Sequence, residues 1–288
     1  MEESLYIVKD APGKGRGMFA TRDIKRGTCI ISESPLVYFY NTGPADTIQA
    51  VNDMSKKNKK YFLALRNSHP ELPQDIGIIK TNALPLGCES LDCAVFRVIS
   101  RINHSCALNV KHSWNAKLKK ETIFATEDIP AGSEIVTDYL SLLMTREERL
   151  KRLAASFGFT CQCKYCASES SEEYDAAVNR IKECSDLIAS SCAASNPRRS
   201  IGYVREVLGL IDKIDGWGKS TFYHDGFQIS AMYSNYTLAK EWADLLLESY
   251  RIEEGEVGEK YERYLMYSQN PRSHERAGWG GYIDLTGA

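Results

Sequence analysis

From Ser4 to Tyr40 short apolar stretches alternate with glycine-rich breaks, the spacing of a small antiparallel β unit. Leu5, Ile7 and Val8 begin it, and Pro12-Gly13-Lys14-Gly15-Arg16-Gly17 interrupts it. Met18-Phe19-Ala20 resumes the pattern before a second break at Lys25-Arg26-Gly27. Cys29-Ile30-Ile31 and Leu36-Val37-Tyr38-Phe39 complete the meander. Residues 44–76 change period: Ile48, Val51, Phe62 and Leu65 are spaced for one face of a helix, so a helical insertion is expected there. Val95, Val98 and Ile99 then form an apolar approach to Asn103. Asn109-Val110 and Ala116 to Phe124 read as strands around a turn at Trp114-Asn115. Glu127 to Gly132 is a tight turn, and Ile135 to Tyr139 is the last strand.

Beyond Tyr139 the period is helical. Thr145 to Ala155 is a helix, with Thr145 as N-cap and Glu148 three residues on, a capping box. Residues 168–268 read as wholly helical. Tyr174, Val178, Ile181, Cys184, Ile188 and Cys192 trace one face, behind a capping box of Ser170 and Glu173. Pro197 opens a second helix, with Ile201, Val204, Leu208 and Ile211 in register and Gly216-Trp217-Gly218 at its end. Ala239 through Tyr250, then Gly255 and Tyr261, resemble one helix–turn–helix of TPR type, although one unit does not make a repeat array. The tail, with Gly278, Gly280, Gly281 and Gly287, is expected to be poorly ordered.

Composition changes this picture little. The chain has 288 residues, 43% hydrophobic and 26% charged, the balance of an ordinary globular protein of one to two domains. A formal net charge of −2 gives no whole-chain attraction to nucleic acid or an anionic membrane. Lys56-Lys57-Asn58-Lys59-Lys60 is a local exception. With no aromatic residue inside the run to stack on bases, it is assigned to a solvated helix face, and no direct nucleic-acid contact is expected. No basic-then-apolar leader and no apolar run of about 18 residues is visible, so the expected setting is intracellular, away from the membrane. Nine cysteines in a reducing compartment read as thiols and metal ligands rather than disulfides.

The chemistry concentrates between Asn103 and Cys166. Cys161-Gln162-Cys163-Lys164-Tyr165-Cys166 offers three thiolates that complete a tetrahedral zinc site only if a fourth ligand arrives from elsewhere. Cys106 is the best-placed candidate, and its recruitment would fold the segment after Tyr139 back over Asn103 and His104. Four thiolates leave no open position for water, so such a zinc is structural. Cys88 and Cys93 could ligate a second metal but are read as small buried hydrophobes.

Asn103-His104-Ser105-Cys106, Gly132 through Tyr139 (GSEIVTDY), the TREERLKRL helix and Phe157-Gly158-Phe159-Thr160 ahead of the cysteines resemble the second half of a SET domain. More narrowly they resemble the SET-plus-post-SET region of the SMYD-type lysine methyltransferases, and GKGRGMFA supplies the first half. The resemblance covers residues 5–40 and 78–167. It implies an α+β, β-rich SET fold over residues 1–145 and a zinc-bound post-SET segment over 146–168, ahead of the helical C-terminal region, 169–288, expected from the spacing of apolar residues. It also implies S-adenosylmethionine as cofactor, contacted by Lys14, Gly15, Arg16 and Gly17, by Asn103 and His104, by Tyr139, and by Phe159 over the adenine. Ile78 to Leu84 looks like the segment that carries a cofactor-contacting asparagine in SMYD proteins, which assigns that role to Asn82. Tyr139 is the expected catalytic residue, its hydroxyl orienting a substrate amine for in-line methyl transfer. The implied substrate is a protein lysine, histone or non-histone, in nucleus or cytoplasm. A small-molecule substrate and a non-catalytic scaffold stay open as alternatives.

Three departures from the family pattern stand out. No cysteine lies between Cys29 and Cys88, which excludes a MYND finger. Leu108 occupies the place of a proline that would stiffen the turn before Asn109, and Ser133 the place of a common glutamate.

Overall fold

The computed structural model describes residues 4–40, 44–87, 90–140, 143–167, 171–192, 196–214 and 218–287. Cys88, Ser170, Gly216 and Trp217 lie outside the described residues, as does the side chain of Cys192. The chain divides into two units, 1–140 with 148–167, and 141–147 with 168–288.

In the first unit the N-terminal alternation becomes a hairpin of β1 (Tyr6–Ala11) and β2 (Gly15–Ala20), paired from Tyr6↔Ala20 to Ala11↔Gly15. Gly13 and Gly15 take positive φ, 74° and 80°, at the turn. Gly17 corrects the expectation of a third turn glycine: it lies inside β2, and its value is small size rather than φ. The hairpin extends through β10 (Glu134–Thr137), antiparallel to β2, to β7 (Asn103–His104), which pairs in parallel with β10. Asn109 fixes that crossing: its Nδ2 donates to the Glu134 carbonyl at 2.9 Å and its Oδ1 accepts from Val136 N–H at 2.8 Å. These bonds hold the turn that has Leu108 in place of proline.

A second sheet has the order β3 (Cys29–Glu33), β9 (Lys120–Ala125), β8 (Val110–Asn115). Trp114 and Asn115 are therefore in a strand, and the turn falls one step later, with Lys119 at φ 52°. A third sheet has the order β4 (Val37–Phe39), β6 (Cys93–Val95), β5 (Leu84–Pro85). Met18, Phe96, Ile123 and Ile135, all fully buried, join the first two sheets in one core, each worth about 1.5–3 kcal/mol. The insertion forms α1 (Pro44–Asn52), α2 (Lys56–Leu63) and α3 (Gln74–Asn82) over a core of Val37, Val51, Phe62 and Ile78. It runs past residue 76, and Asn82 ends its last helix. Two more helices, α4 (Arg146–Phe157) and the single turn α5 (Lys164–Ala167), precede the second unit.

That unit is helical: α6 (Ser171–Leu187), α7 (Pro197–Lys213), α8 (Lys219–Met232), α9 (Tyr236–Glu254) and α10 (Glu259–Gln269). Asn196 and Asn235 cap α7 and α9 by accepting from Arg199 and Leu238 N–H. The tail contradicts the expectation of poor order. Gly278, Gly280 and Ile283 N–H donate to the carbonyls of Ala231, Met232 and Tyr233, and Leu285 is wholly buried in the helical core. A Cβ on Gly280 would meet the Tyr233 ring at 2.4 Å, which is why glycine is needed there. No helix among the described residues is long and apolar enough to cross a membrane.

Candidate active site

The parallel β7–β10 pair brings Asn103 beside Val136 and His104 beside Thr137. Ser105 N–H extends the pairing by donating to the Thr137 carbonyl at 2.9 Å. Tyr139, just past the end of β10, thus arrives next to His104, their ring centroids 5.3 Å apart. Tyr139 N–H donates to His104 Nδ1 at 3.1 Å. That acceptor role leaves the ring proton on Nε2, which faces Cys106 Sγ at 3.3 Å. Asp138 Oδ1 lies 3.4 Å from the same Nδ1, and burial, opposed by the Leu140 N–H, pushes its carboxyl up to about 6. The Tyr139 hydroxyl donates to the Ile102 carbonyl at 2.6 Å, and burial raises its pKa well above the ordinary phenol value.

A cavity of about 1330 Å³ opens here, entirely within the first unit. Lys14, Gly15, Arg16, Asn82, Asn103, His104, Tyr139 and Phe159 all line it. Gly17 does not; it stands behind the wall, where a Cβ would come within 2.8 Å of both Asn103 Nδ2 and Glu134 Oε1. Asn82 gives its two amide hydrogens to the carbonyls of Arg66 (2.7 Å) and Ile78 (2.6 Å), so only its oxygen is left for a ligand. Phe159 lies 5.8 Å from the His104 ring, and Phe157 lies 4.9 Å from Tyr139. The volume exceeds the roughly 300–1,000 Å³ usual for one small ligand, leaving room for a cofactor and an entering side chain.

The four cysteines expected to share a metal converge. The Sγ atoms of Cys106, Cys161, Cys163 and Cys166 lie within 4.8 Å of one another, with Cys106 at 3.5 Å from Cys166 and 4.0 Å from Cys161. Thiolates about 2.3 Å from a tetrahedral zinc stand about 3.8 Å apart, so this set fits that ion. Among the described residues no other group of three or more metal-binding side chains comes together. Hydrogen bonds from neighbouring thiols, Cys106 first, hold Cys161 far below the ordinary thiol range, and the same proton sharing raises Cys106 far above it. Arg149, almost wholly buried in α4, directs Nη2 at the Tyr165 carbonyl (3.5 Å) and Cys166 Sγ (3.9 Å), a cation beside the thiolate cluster.

Sequence reasoning missed Glu134, whose carboxylate ties the site together. Its Oε2 pairs with Lys14 Nζ at 2.7 Å and its Oε1 accepts from Asn103 Nδ2 at 2.8 Å, linking the glycine loop to β7. The signal was its place at the head of the strand that leads to Tyr139, which ends at Thr137 rather than at Tyr139 itself. Arg149 was hidden as one basic residue among several in an amphipathic helix.

Residues 15–140 match the family model described as "SET domain". The chain is 31% identical over 281 residues to "Histone-lysine N-methyltransferase set5" of Schizosaccharomyces pombe, covering 96% of this chain and 87% of that protein. It is 28% identical over 118 residues to "Histone-lysine N-methyltransferase SET5" of Meyerozyma guilliermondii. To "N-lysine methyltransferase SMYD2" of Mus musculus it is 30% identical over 118 residues. The matches to these last two span only 24% and 25% of their own lengths.

Proposed function

This chain belongs to the SET-domain methyltransferase family, and from that premise we propose that it methylates the side-chain amine of a lysine in a protein, histone or non-histone, using S-adenosylmethionine. The observation that carries the proposal is the meeting of Gly15, Arg16, Asn103, His104, Tyr139 and Phe159 around one cavity. Lys14 to Arg16 and Asn103–His104 would form the two walls of the cofactor site, with Gly17 behind the first, Phe159 over the adenine and the Asn82 oxygen as a further acceptor. When bound, S-adenosylmethionine supplies an electrophilic methyl carbon on a sulfonium.

Methyl transfer needs a neutral amine, and a lysine of reference pKa near 10.4 is neutral in only about one case in a thousand at pH 7.4. Burial of the amine in the cavity disfavours its ammonium form. Tyr139 keeps its own proton, because burial raises its pKa; it orients rather than abstracts. With its hydrogen given to Ile102, its oxygen is free to accept an amine N–H, which turns the nitrogen lone pair toward the methyl carbon. Alignment of this kind supplies several kcal/mol of a barrier, on the order of what positioning contributes elsewhere. Cys106, Cys161, Cys163 and Cys166 would hold a structural zinc, closed to substrate, that keeps Phe159 over the cavity. A zinc held by four thiolates suits a reducing setting, which is in keeping with action in nucleus or cytoplasm.

The test is methyl-label transfer from S-adenosylmethionine to a protein extract and a metabolite extract in parallel, with wild type and Tyr139→Phe. Label in protein lysine, reduced at least about tenfold by Tyr139→Phe with S-adenosylhomocysteine affinity unchanged, is expected. Label in metabolites alone would indicate a small-molecule enzyme. Cofactor binding without transfer to either extract would indicate a scaffold, and equal rates for the two proteins would remove Tyr139 from the mechanism.

A further inference from the structure

Helix α2 carries Lys56, Lys57, Lys59 and Lys60, and no carboxylate occurs between Asp53 and Glu71. In a chain of formal net charge −2 this is a marked local excess of positive charge. The helix is firmly placed: the Ser55 hydroxyl accepts from Asn58 N–H, and Phe62 is fully buried against the core of the insertion. That anchoring turns Lys56, Lys57 and Lys60 outward, and three- and four-residue spacing puts them on one face. The face leads to the active site. Ala64 lies in a shallow groove with Lys56, Lys59, Lys60 and Leu63, and it also lines the cavity that holds Tyr139. Arg101 Nη2 donates to the Ala64 carbonyl at 2.9 Å, and Arg66 lines the same cavity.

We propose that this lysine face docks the phosphate backbone of a nucleic-acid duplex. Resting on the reading of the cavity as a lysine methyltransferase site, the protein substrate is then offered while it is bound to that duplex. Charge complementarity selects the occupant. The exposed face consists of ammonium point charges, and lysine is a common partner of phosphate as a point charge. Bases of a single strand need an aromatic platform, and the one aromatic ring on the polar side of α2, Tyr61, is covered by the Arg97 guanidinium 3.8 Å from its centroid. The sequence alone assigned the run to solvent; its continuity with the cavity rim is what the fold adds.

The experiment uses the full chain with zinc supplied. Binding of labelled 24-base-pair random-sequence duplexes, one DNA and one RNA, is followed by anisotropy from about 50 to 200 mM salt. Each phosphate neutralised contributes about −0.9 to the slope of log K against log salt, so three lysines give about −2 to −3. Lys56→Gln/Lys57→Gln/Lys60→Gln is expected to remove about two units of slope and at least tenfold in affinity at the lowest salt. Its S-adenosylhomocysteine affinity and zinc content should match wild type, which rules out misfolding. Binding confined to one duplex type names the source of the phosphate and supports the proposal. Wild type that ignores both duplexes, a variant that binds them as wild type does, or a preference for poly-glutamate over duplex overturns it. Methyl transfer is read separately. The variant should label a free protein substrate as wild type does and label the duplex-bound substrate less. Duplex binding lost in the variant, with no methyl transfer by either protein, would leave the docking face standing and defeat the methyltransferase reading instead.

Discussion

Gly17→Ala tests the wall of the cavity with a single methyl group. Gly17 has an ordinary strand φ, so the substitution adds no backbone strain, and its whole effect comes from contact. The new Cβ would lie 2.8 Å from Asn103 Nδ2 and 2.8 Å from Glu134 Oε1, with the Ala11 Cβ behind it at 3.1 Å. Ordinary contact begins near 3.4 Å, so the two side chains must each withdraw by about 0.6 Å. They are bonded to one another at 2.8 Å and the methyl group sits against both, so withdrawal breaks or lengthens that bond. A hydrogen bond to a charged group contributes about 1.5–3 kcal/mol. If Asn103 is a cofactor contact, a displacement of that size should weaken S-adenosylhomocysteine binding about 10- to 100-fold at 1.4 kcal/mol per decade. Overpacking should also lower stability by about 1–3 kcal/mol. Calorimetric titration and thermal melting of the zinc-loaded protein measure the two effects. Glu134→Ala removes one of the two obstructing groups, so the double variant should bind more tightly than the sum of the single losses allows, with a coupling of about 1 kcal/mol or more. Affinity within twofold of wild type for Gly17→Ala, or strictly additive losses in the double variant, would refute the account of the Asn103–Glu134–Gly17 contact.

Cys163→Ser, or treatment with a strong chelator, is expected to lower zinc content from about one ion per chain and to weaken S-adenosylhomocysteine binding together with it, since Phe159 is carried by the cysteine segment; elemental analysis beside titration checks this. Asp225, whose burial pushes its carboxyl up to about 6, takes up a proton on folding between about pH 4 and 6, so stability falls as pH rises through that window and stays lower above it. Asp225→Asn should therefore stabilise the protein by about 1–3 kcal/mol at pH 7.5 and not at pH 4, seen as melting midpoints at the two pH values. Leu285→Ala removes a wholly buried side chain and should cost about 2–5 kcal/mol in denaturant unfolding of the helical unit, whereas the exposed Trp279→Ala should cost less than about 0.5 kcal/mol.

The parts of the site that were legible in the sequence are those written locally. The three cysteines of 161–166 suggest a metal site by spacing, Gly13 and Gly15 mark a turn, and Asn103 to Cys106 and the strand leading to Tyr139 carry recognisable order. The parts that were not legible depend on approach between distant segments. Glu134 gains its meaning only when Lys14 and Asn103 arrive at its two oxygens, and Gly17 only when that pair lies against it. Arg149 looks like surface charge until α4 is packed with the cysteine segment. The tail shows the converse error. Its glycines suggest disorder by composition, yet they let the backbone lie against Tyr233 and deliver Leu285 to the core. The turn after Asn115 was misplaced because Trp114 and Asn115 are compatible with either a strand or a turn, and pairing with Lys120 and Glu121 decides it.

The connections that close the cavity are long in sequence: 35 residues from His104 to Tyr139, 55 from Cys106 to Cys161 and 120 from Lys14 to Glu134. Contacts of such separation cost loop entropy before they return any stabilisation, so they form late in folding. On a ribosome the order is imposed as well, because β1 to β9 emerge before the strand that threads against β7, and the cysteine segment emerges after both. A chain stalled at Leu140 would hold its hairpin and its central sheets while lacking Phe157, Phe159 and three of the four sulfurs. If the four cysteines hold zinc as proposed, metal capture follows strand pairing, and the supply of zinc to the nascent chain would set when the cavity is closed by Phe159.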